Sequence, residues 1–112
     1  MPLPSRKVTG GFAAAVIAVA MAFTQPWEGT EPVAYSDVVG VTTACTGHTG
    51  PEVVLGKRYD AYQCDKWFKQ DIAKASGYVF QCIKVPLTVN QAAALTSATF
   101  NIGPDVVCAS TL

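Results

Sequence analysis

Charge is scarce in this chain, which has 8 basic and 8 acidic residues among 112 and a formal net charge of zero. A protein that binds nucleic acid through its phosphates needs a basic surface, and the composition offers no basic excess. We therefore expect no nucleic-acid partner. The length leaves room for one small domain.

Histidine is scarcer still, since His48 is the only one, and the four cysteines form no Cys-x-x-Cys pair. Zinc sites take their ligands from clustered cysteine and histidine, so the sequence predicts no metal site. An even number of cysteines in a short exported chain favours disulfides and an oxidising compartment. Four reduced cysteines would instead fit a chain that stays in the cytoplasm.

No charged residue occurs between Lys7 and Glu28. This segment has about 20 residues, which in helical form is long enough to span a bilayer. Arg6 and Lys7 precede it, and a positive flank predicts a cytoplasmic N-terminus with the remainder of the chain outside. Glycine and alanine dilute the stronger hydrophobes, so such a helix would be only marginally stable in the membrane.

Two ordinary interpretations of this segment are open. Ala20-Met21-Ala22 resembles the small-residue cleavage site of a signal peptide and is followed by polar Thr24 and Gln25. The other interpretation is a permanent anchor that crosses the membrane once, because the segment is long enough to do so.

The remainder of the chain predicts a small antiparallel sheet within residues 27–56, followed by two helices. Asp60 begins the first helix with a capping-box-like pattern, and Gly77 ends it. Thr88 begins the second helix in the same way, and Gly103 ends it. The residues expected to form the buried face of the second helix are Leu95, Ala98 and Ile102.

Four polar residues stand at a distinctive spacing within residues 27–50. Glu28, Asp37, Thr43 and His48 form a Glu-x8-Asp-x5-Thr-x4-His array. Glycoside hydrolysis needs one carboxylic acid to protonate the leaving oxygen and a second carboxylate on the other face of the sugar. Taken singly, these residues also fit a solvated acid, a turn aspartate, a strand threonine and a core histidine.

The array, with its flanks AYSD at 34–37 and GHTG at 47–50, resembles the catalytic signature of phage-type lysozymes, the endolysins that cut peptidoglycan. The resemblance implies an α+β, lysozyme-like fold with an N-terminal signal-anchor helix, a small antiparallel sheet lobe and a helical lobe. Residues 1–26 would be the signal-anchor segment. Residues 27–112 would be the catalytic domain, lacking the C-terminal helices that usually follow in the family.

The resemblance also implies a role for each residue of the array. Glu28 would be the general acid, kept protonated by apolar surroundings, and Asp37 the ionised second carboxylate. Thr43 would orient the attacking water, and His48 would support the acid structurally without transferring protons. Glu31 lies outside the array and fits a surface charge.

The four cysteines can pair in three ways. The resemblance implies the pairs Cys45–Cys64 and Cys82–Cys108, which would join the sheet to the first helix and connect the two ends of the second. The segment before Glu28 has no cysteine. Regulation by disulfide exchange from the anchor, which one branch of these enzymes uses, is therefore not expected here.

The resemblance adds a third interpretation of the N-terminus, a signal-anchor-release segment like those of lambdoid phage endolysins. Residues 8–26 would hold the inactive enzyme in the host inner membrane, with the N-terminus in the cytoplasm. The segment would leave the membrane when the membrane potential collapses, and the enzyme would then act in the periplasm. The dilution by glycine and alanine favours release over a permanent anchor, and the lysozyme-like signature that starts at Glu28 favours release again.

The function that this resemblance implies is that of a muramidase. It would hydrolyse the β-1,4 bond between N-acetylmuramic acid and N-acetylglucosamine in peptidoglycan and cause lysis of the bacterial host. We expect a monomer that needs no cofactor and binds glycan strands. The alternatives are an inactive truncated prophage remnant associated with the membrane, and a module that binds peptidoglycan without cutting it.

Overall fold

The computed structural model describes residues 10–28 and 30–109, without the side chains of residues 26–28. The described residues form three α-helices, three strands and a 3₁₀ turn, which confirms the α+β class. The helices are α1 (Gly10–Glu28), α2 (Ala61–Cys82) and α3 (Val89–Ile102), and the turn is Pro104–Val106. The strands are β1 (Glu31–Ser36), β2 (Thr42–Cys45) and β3 (His48–Thr49).

The predicted antiparallel sheet is present, with β2 between β1 and β3. Thr43 lies in the middle of the sheet, opposite Tyr35 of β1 and Thr49 of β3. The two-residue connection between β2 and β3 includes Gly47, which has a φ of +75°. Glycine suits this position because a side chain would be strained there.

The chain divides into two compact units, one of residues 24–71 and one that includes the described residues 10–23 and 72–109. The unit of residues 24–71 contains the sheet and has its own apolar core. The core residues come from the sheet, from the loop after β3 and from the beginning of α2. They are Ala34, Ala44, Cys45, Val53, Tyr59, Cys64 and Trp67.

The first predicted helix begins where the sequence indicates, because Asp60 Oδ1 accepts a hydrogen bond from Gln63 N at 2.8 Å. The prediction that Gly77 ends this helix is wrong, since α2 continues to Cys82. An interior glycine costs only about 1 kcal/mol relative to alanine. The buried residues Ile72, Ser76 and Val79 continue the helical spacing through Gly77, and their burial offsets that cost.

The second predicted helix also begins as expected. Thr88 Oγ1 accepts from Gln91 N at 3.1 Å, and Gln91 Oε1 accepts from Thr88 N at 2.9 Å, which completes a capping box. The prediction of its buried face is wrong, since Ile102 is 76% exposed and Leu95 only half-buried. The buried residues are small ones, namely Ala92, Ala93, Thr96 and Thr99.

One of these small residues, Thr96, is fully buried, and its Oγ1 has no hydrogen-bond partner among the described residues. Thr96→Val removes the unpartnered hydroxyl and keeps the shape, so we expect the free energy of unfolding to rise by about 1 kcal/mol. Urea denaturation measures this. Thr99→Val is the matched control, because Thr99 Oγ1 donates to Leu95 O at 2.8 Å. An equal gain from both variants would contradict the explanation.

Residues 10–23 of helix α1 lie in the unit that also holds the end of α2. Val16 and Ala20 are fully buried, and the Phe12 ring lies 6.0 Å from the Phe80 ring. The helix continues past residue 26, where the predicted signal-anchor segment ends. Of that segment, residues 1–9 lie outside the described part of the chain. Among the described residues, no helix combines the length and the apolar character needed to cross a membrane.

Candidate active site

Glu28 is the last residue of α1, and β1 begins three positions later at Glu31. Its side chain and the whole of Gly29 lie outside the described residues. The backbone therefore places the predicted general acid at the C-terminal end of a helix, next to the point where the chain enters the sheet.

Asp37 directly follows β1 and forms the turn to β2. Its Oδ1 accepts hydrogen bonds from Val39 N and Val41 N, each at 2.9 Å, and its own N donates to Val41 O at 2.9 Å. Gly40, with a φ of +86°, completes the turn. The plainer interpretation of a turn aspartate is thus compatible with the catalytic one, because the turn fixes the carboxyl group and uses only one of its oxygens.

Thr43 is buried in β2, and its Oγ1 donates to Val41 O at 3.0 Å. Since a hydroxyl has a single hydrogen, this bond leaves the oxygen lone pairs of Thr43 as acceptors. The backbone of Val41 therefore binds both residues: its carbonyl accepts from Thr43 Oγ1 and Asp37 N, and its N–H donates to the Asp37 carboxylate.

His48 lies in β3 and is 7% exposed. Its Nδ1 lies 2.7 Å from Asp71 Oδ2, and its Nε2 lies 2.6 Å from Glu52 Oε2. The imidazole is stacked on the indole of Trp67, with ring centroids 4.3 Å apart and planes 11° apart. We call Glu52, His48 and Asp71 the carboxylate–histidine cluster. Each ring nitrogen of His48 thus contacts a carboxylate.

Sequence reasoning missed Glu52, Asp71 and Trp67. Glu52 stands four residues after His48, with Gly50 between them. A Cβ at Gly50 would come within 2.6 Å of Glu52 Oε1, so glycine gives the glutamate side chain room to lie near His48. Trp67 and Asp71 are four residues apart on α2, the spacing that places two side chains on one helix face. These two spacings are the only features of the local sequence that point to these three residues.

Both disulfides that the resemblance implied are present. Cys45–Cys64 joins β2 to α2 within the unit of residues 24–71, and Cys82–Cys108 lies within the other unit. Cys45 has a φ of +60°, a left-handed conformation that is uncommon for a residue with a side chain. Among the described residues, no group of three or more His, Cys, Asp or Glu could hold a metal ion.

The cluster makes stability depend on pH. The hydrogen bond from His48 holds the pKa of the Glu52 carboxyl below its ordinary value of 4.5. A carboxyl with a lower pKa in the folded state stabilises the fold above its ordinary pKa. That contribution disappears as the pH falls through the folded pKa. We therefore expect the free energy of unfolding to fall on acidification below pH 4.5.

Urea denaturation across this pH range, with Glu52→Gln as the comparison, isolates the contribution of Glu52. The variant should lose less stability than wild type on acidification, because glutamine does not titrate. Asp71 contacts the other ring nitrogen and is present in both proteins, so the difference between the two curves reports the change at position 52. Parallel curves for the two proteins would contradict the prediction.

Comparison with known proteins places the chain in a family. Residues 25–112 match the family model described as phage lysozyme. The chain is 34% identical over 119 residues to the SAR-endolysin of Enterobacteria phage P21, covering 100% of this chain and 72% of that protein. It is 39% identical over 90 residues to the SAR-endolysin of Pseudomonas phage phiKMV, covering 80% of this chain and 56% of that protein.

Solved structures confirm the lysozyme-like fold. The muramidase domain of SpmX from Asticaccaulis excentricus superimposes with a TM-score of 0.70 at 26% identity, covering 94% of this chain and 65% of that one. The endolysin from Escherichia coli O157:H7 phage FAHEc1 gives a TM-score of 0.68 at 30% identity, covering 94% of this chain and 63% of that one. This chain thus spans between about half and three quarters of the length of these four proteins. It belongs to the phage lysozyme family, a family of glycoside hydrolases.

Proposed function

We propose that this chain is a muramidase that hydrolyses the β-1,4 bond between N-acetylmuramic acid and N-acetylglucosamine in peptidoglycan. Membership of the phage lysozyme family supports the reaction class. The observation that carries the assignment of residues is the turn after β1, where the backbone of Val41 binds both the Asp37 carboxylate and the Thr43 hydroxyl. This turn brings two members of the predicted array together, although six positions separate them in the sequence.

Glu28 supplies the proton for the leaving glycosidic oxygen. The C-terminal end of a helix carries a partial negative charge, which disfavours an ionised carboxylate there. Glu28 occupies that end of α1. Its position therefore favours the protonated form that a general acid needs.

Asp37 and Thr43 act on the side of the attacking water. Asp37 Oδ1 accepts hydrogen bonds from two backbone N–H groups, which fix the carboxyl group through one of its two oxygens. The Thr43 hydroxyl donates to Val41 O and can therefore accept a hydrogen bond from water. Water thus oriented attacks the sugar carbon while Asp37 takes its proton or stabilises positive charge on the ring.

The products of peptidoglycan digestion test this proposal. Purified chain should release new reducing ends, and borohydride reduction should convert them to muramitol. Reduced glucosamine would indicate cleavage of the other glycosidic bond, and anhydro ends without a reducing sugar would indicate an elimination. A chain that pellets with peptidoglycan but yields no product would be the binding module named above.

We further propose that residues 8–26 hold the chain in the inner membrane before lysis and that the enzyme then acts in the periplasm. The SAR-endolysin names of the relatives and the uncharged segment before Glu28 support this. Fractionation of expressing cells before and after a protonophore should show the full-length chain moving from membrane to periplasm. A shortened product that begins near Thr24 would instead show signal cleavage.

A further inference from the structure

We propose that Glu52 is a positioning residue of this site, which holds His48 as a doubly donating cation and thereby fixes the β2–β3 hairpin that carries Thr43. The proposal rests on the function proposed above, because the role of Thr43 does. Glu52 lies outside the predicted array, and its contribution comes from contacts that the fold creates.

The contacts of the imidazole determine its protonation. An ionised carboxylate only accepts hydrogen bonds, and Glu52 and Asp71 each contact one ring nitrogen of His48, at 2.6 and 2.7 Å. Both nitrogens must then donate, which only the protonated ring can do. Charge-assisted bonds of this length are about twice as strong as neutral ones. The two bonds therefore fix the orientation of the ring on the face of Trp67.

Glu52 is itself held in place by the surrounding fold. The hydroxyl of Tyr59 donates to Glu52 O at 3.2 Å and accepts from Val54 N at 2.8 Å. The Tyr59 ring lies against Trp67, with centroids 4.8 Å apart. The carbonyl of Glu52 and the N–H of Val54 are therefore both bound to Tyr59, whose ring contacts the indole on which His48 stacks. A carboxylate held in this way limits ring motion more than a freely moving surface glutamate does.

The strand ladder carries this restraint to Thr43. His48 pairs with Ala44 and Thr49 pairs with Thr43, so β3 and β2 move together. Asp71 holds the ring from α2 on one side, and Glu52 holds it from the loop after β3 on the other. Without Glu52, Nε2 of the buried ring would lose its hydrogen-bond acceptor. The ring would then position the β2–β3 hairpin through its hydrogen bond to Asp71 and its stacking on Trp67.

The histidine ring is a clean reporter of this arrangement, because His48 is the only histidine in the sequence. Nitrogen-15 NMR of the full chain at neutral pH should show two ring N–H groups protected from exchange with water. Glu52→Ala should abolish protection of the Nε2 hydrogen. Glu52→Gln should retain it, since the glutamine side-chain oxygen still accepts a hydrogen bond.

Steady-state kinetics on soluble glycan fragments test the positioning role. We expect Glu52→Ala to lower kcat about tenfold or more with little change in KM, because a small displacement of a water-orienting group costs turnover more than binding. Glu52→Gln should recover most of the lost kcat. Glu31→Ala, an exposed glutamate outside the cluster, is the matched control and should resemble wild type. Amide spectra check that each variant is folded.

Two outcomes separate this proposal from the proposed function. An active wild-type chain whose Glu52→Ala and Glu31→Ala variants have the same kcat would overturn the positioning role alone, and so would a wild-type ring with a single N–H. A wild-type chain without turnover would overturn the proposed function and the positioning role with it. If Glu52→Ala fails to fold, Glu52→Ser replaces it, because the serine side chain is too short to reach Nε2. Loss of the protected Nε2 hydrogen together with a lower kcat would then support the role, and a wild-type kcat would overturn it.

Discussion

Glu28→Gln should reduce the clearing of a cell-wall suspension to the level of a protein-free control. Glutamine has nearly the same shape as glutamic acid but cannot give a proton to the leaving glycosidic oxygen. General acid catalysis contributes about 10²- to 10⁴-fold to such reactions, so the initial rate should fall by a factor of at least about 10². The initial rate of loss of turbidity measures it.

Glu31→Gln is the control for this experiment. Glu31 begins β1, is exposed, and stands three residues after Glu28 but outside the array. The change in charge is the same in both variants, so a general electrostatic effect on the approach to the cell wall would lower both rates. Equal rates for the two glutamine variants would show that Glu28 is not the proton donor.

The beginnings of α2 and α3 could be predicted from the sequence because their signals are local. The capping box at Thr88 and the cap at Asp60 depend on residues three positions apart. The end of α2 and the buried face of α3 could not be predicted in this way. The burial of Val79 extends α2 beyond Gly77, and the packing of small residues such as Thr96 determines which face of α3 is buried. Both features depend on tertiary contacts between segments that are distant in the sequence.

The candidate site could likewise be predicted from the sequence only in part. The array indicates Asp37, Thr43 and His48 because their spacing along the chain is distinctive. It does not indicate that the backbone of Val41 binds the first two. Nor does it identify Asp71, which lies 23 positions from His48 and reaches it only because α2 packs against the sheet within one unit.

The pairing of the cysteines has a consequence for the site. Cys45 is two residues from Thr43, and its backbone is in the left-handed region with a φ of +60°. A side-chain-bearing residue in that conformation costs of order 1 kcal/mol or more, so the surrounding structure must hold it there. The disulfide to Cys64 is one such restraint, and the burial of both cysteines is another.

Replacing Cys45 and Cys64 together with serine should therefore lower both stability and activity. A disulfide that closes a loop of this size contributes about 3 kcal/mol, mainly by restricting the unfolded chain. We expect urea denaturation to show at least that loss, because two buried serine hydroxyls add their own cost. The rate of glycan hydrolysis, measured where the variant is folded, should also fall, because Cys45 would no longer fix the end of the strand that carries Thr43.

The other disulfide is the matched control for this prediction. Cys82–Cys108 has a sequence separation of 26, against 19 for Cys45–Cys64, so its removal should cost a similar amount of stability. It lies in the unit that does not contain the sheet, and Cys108 is exposed. The Cys82→Ser, Cys108→Ser variant should thus lose stability and keep its rate per folded molecule. Equal loss of rate in both variants would mean that the first bridge acts only through global stability and that the conformation of Cys45 has no part in positioning Thr43.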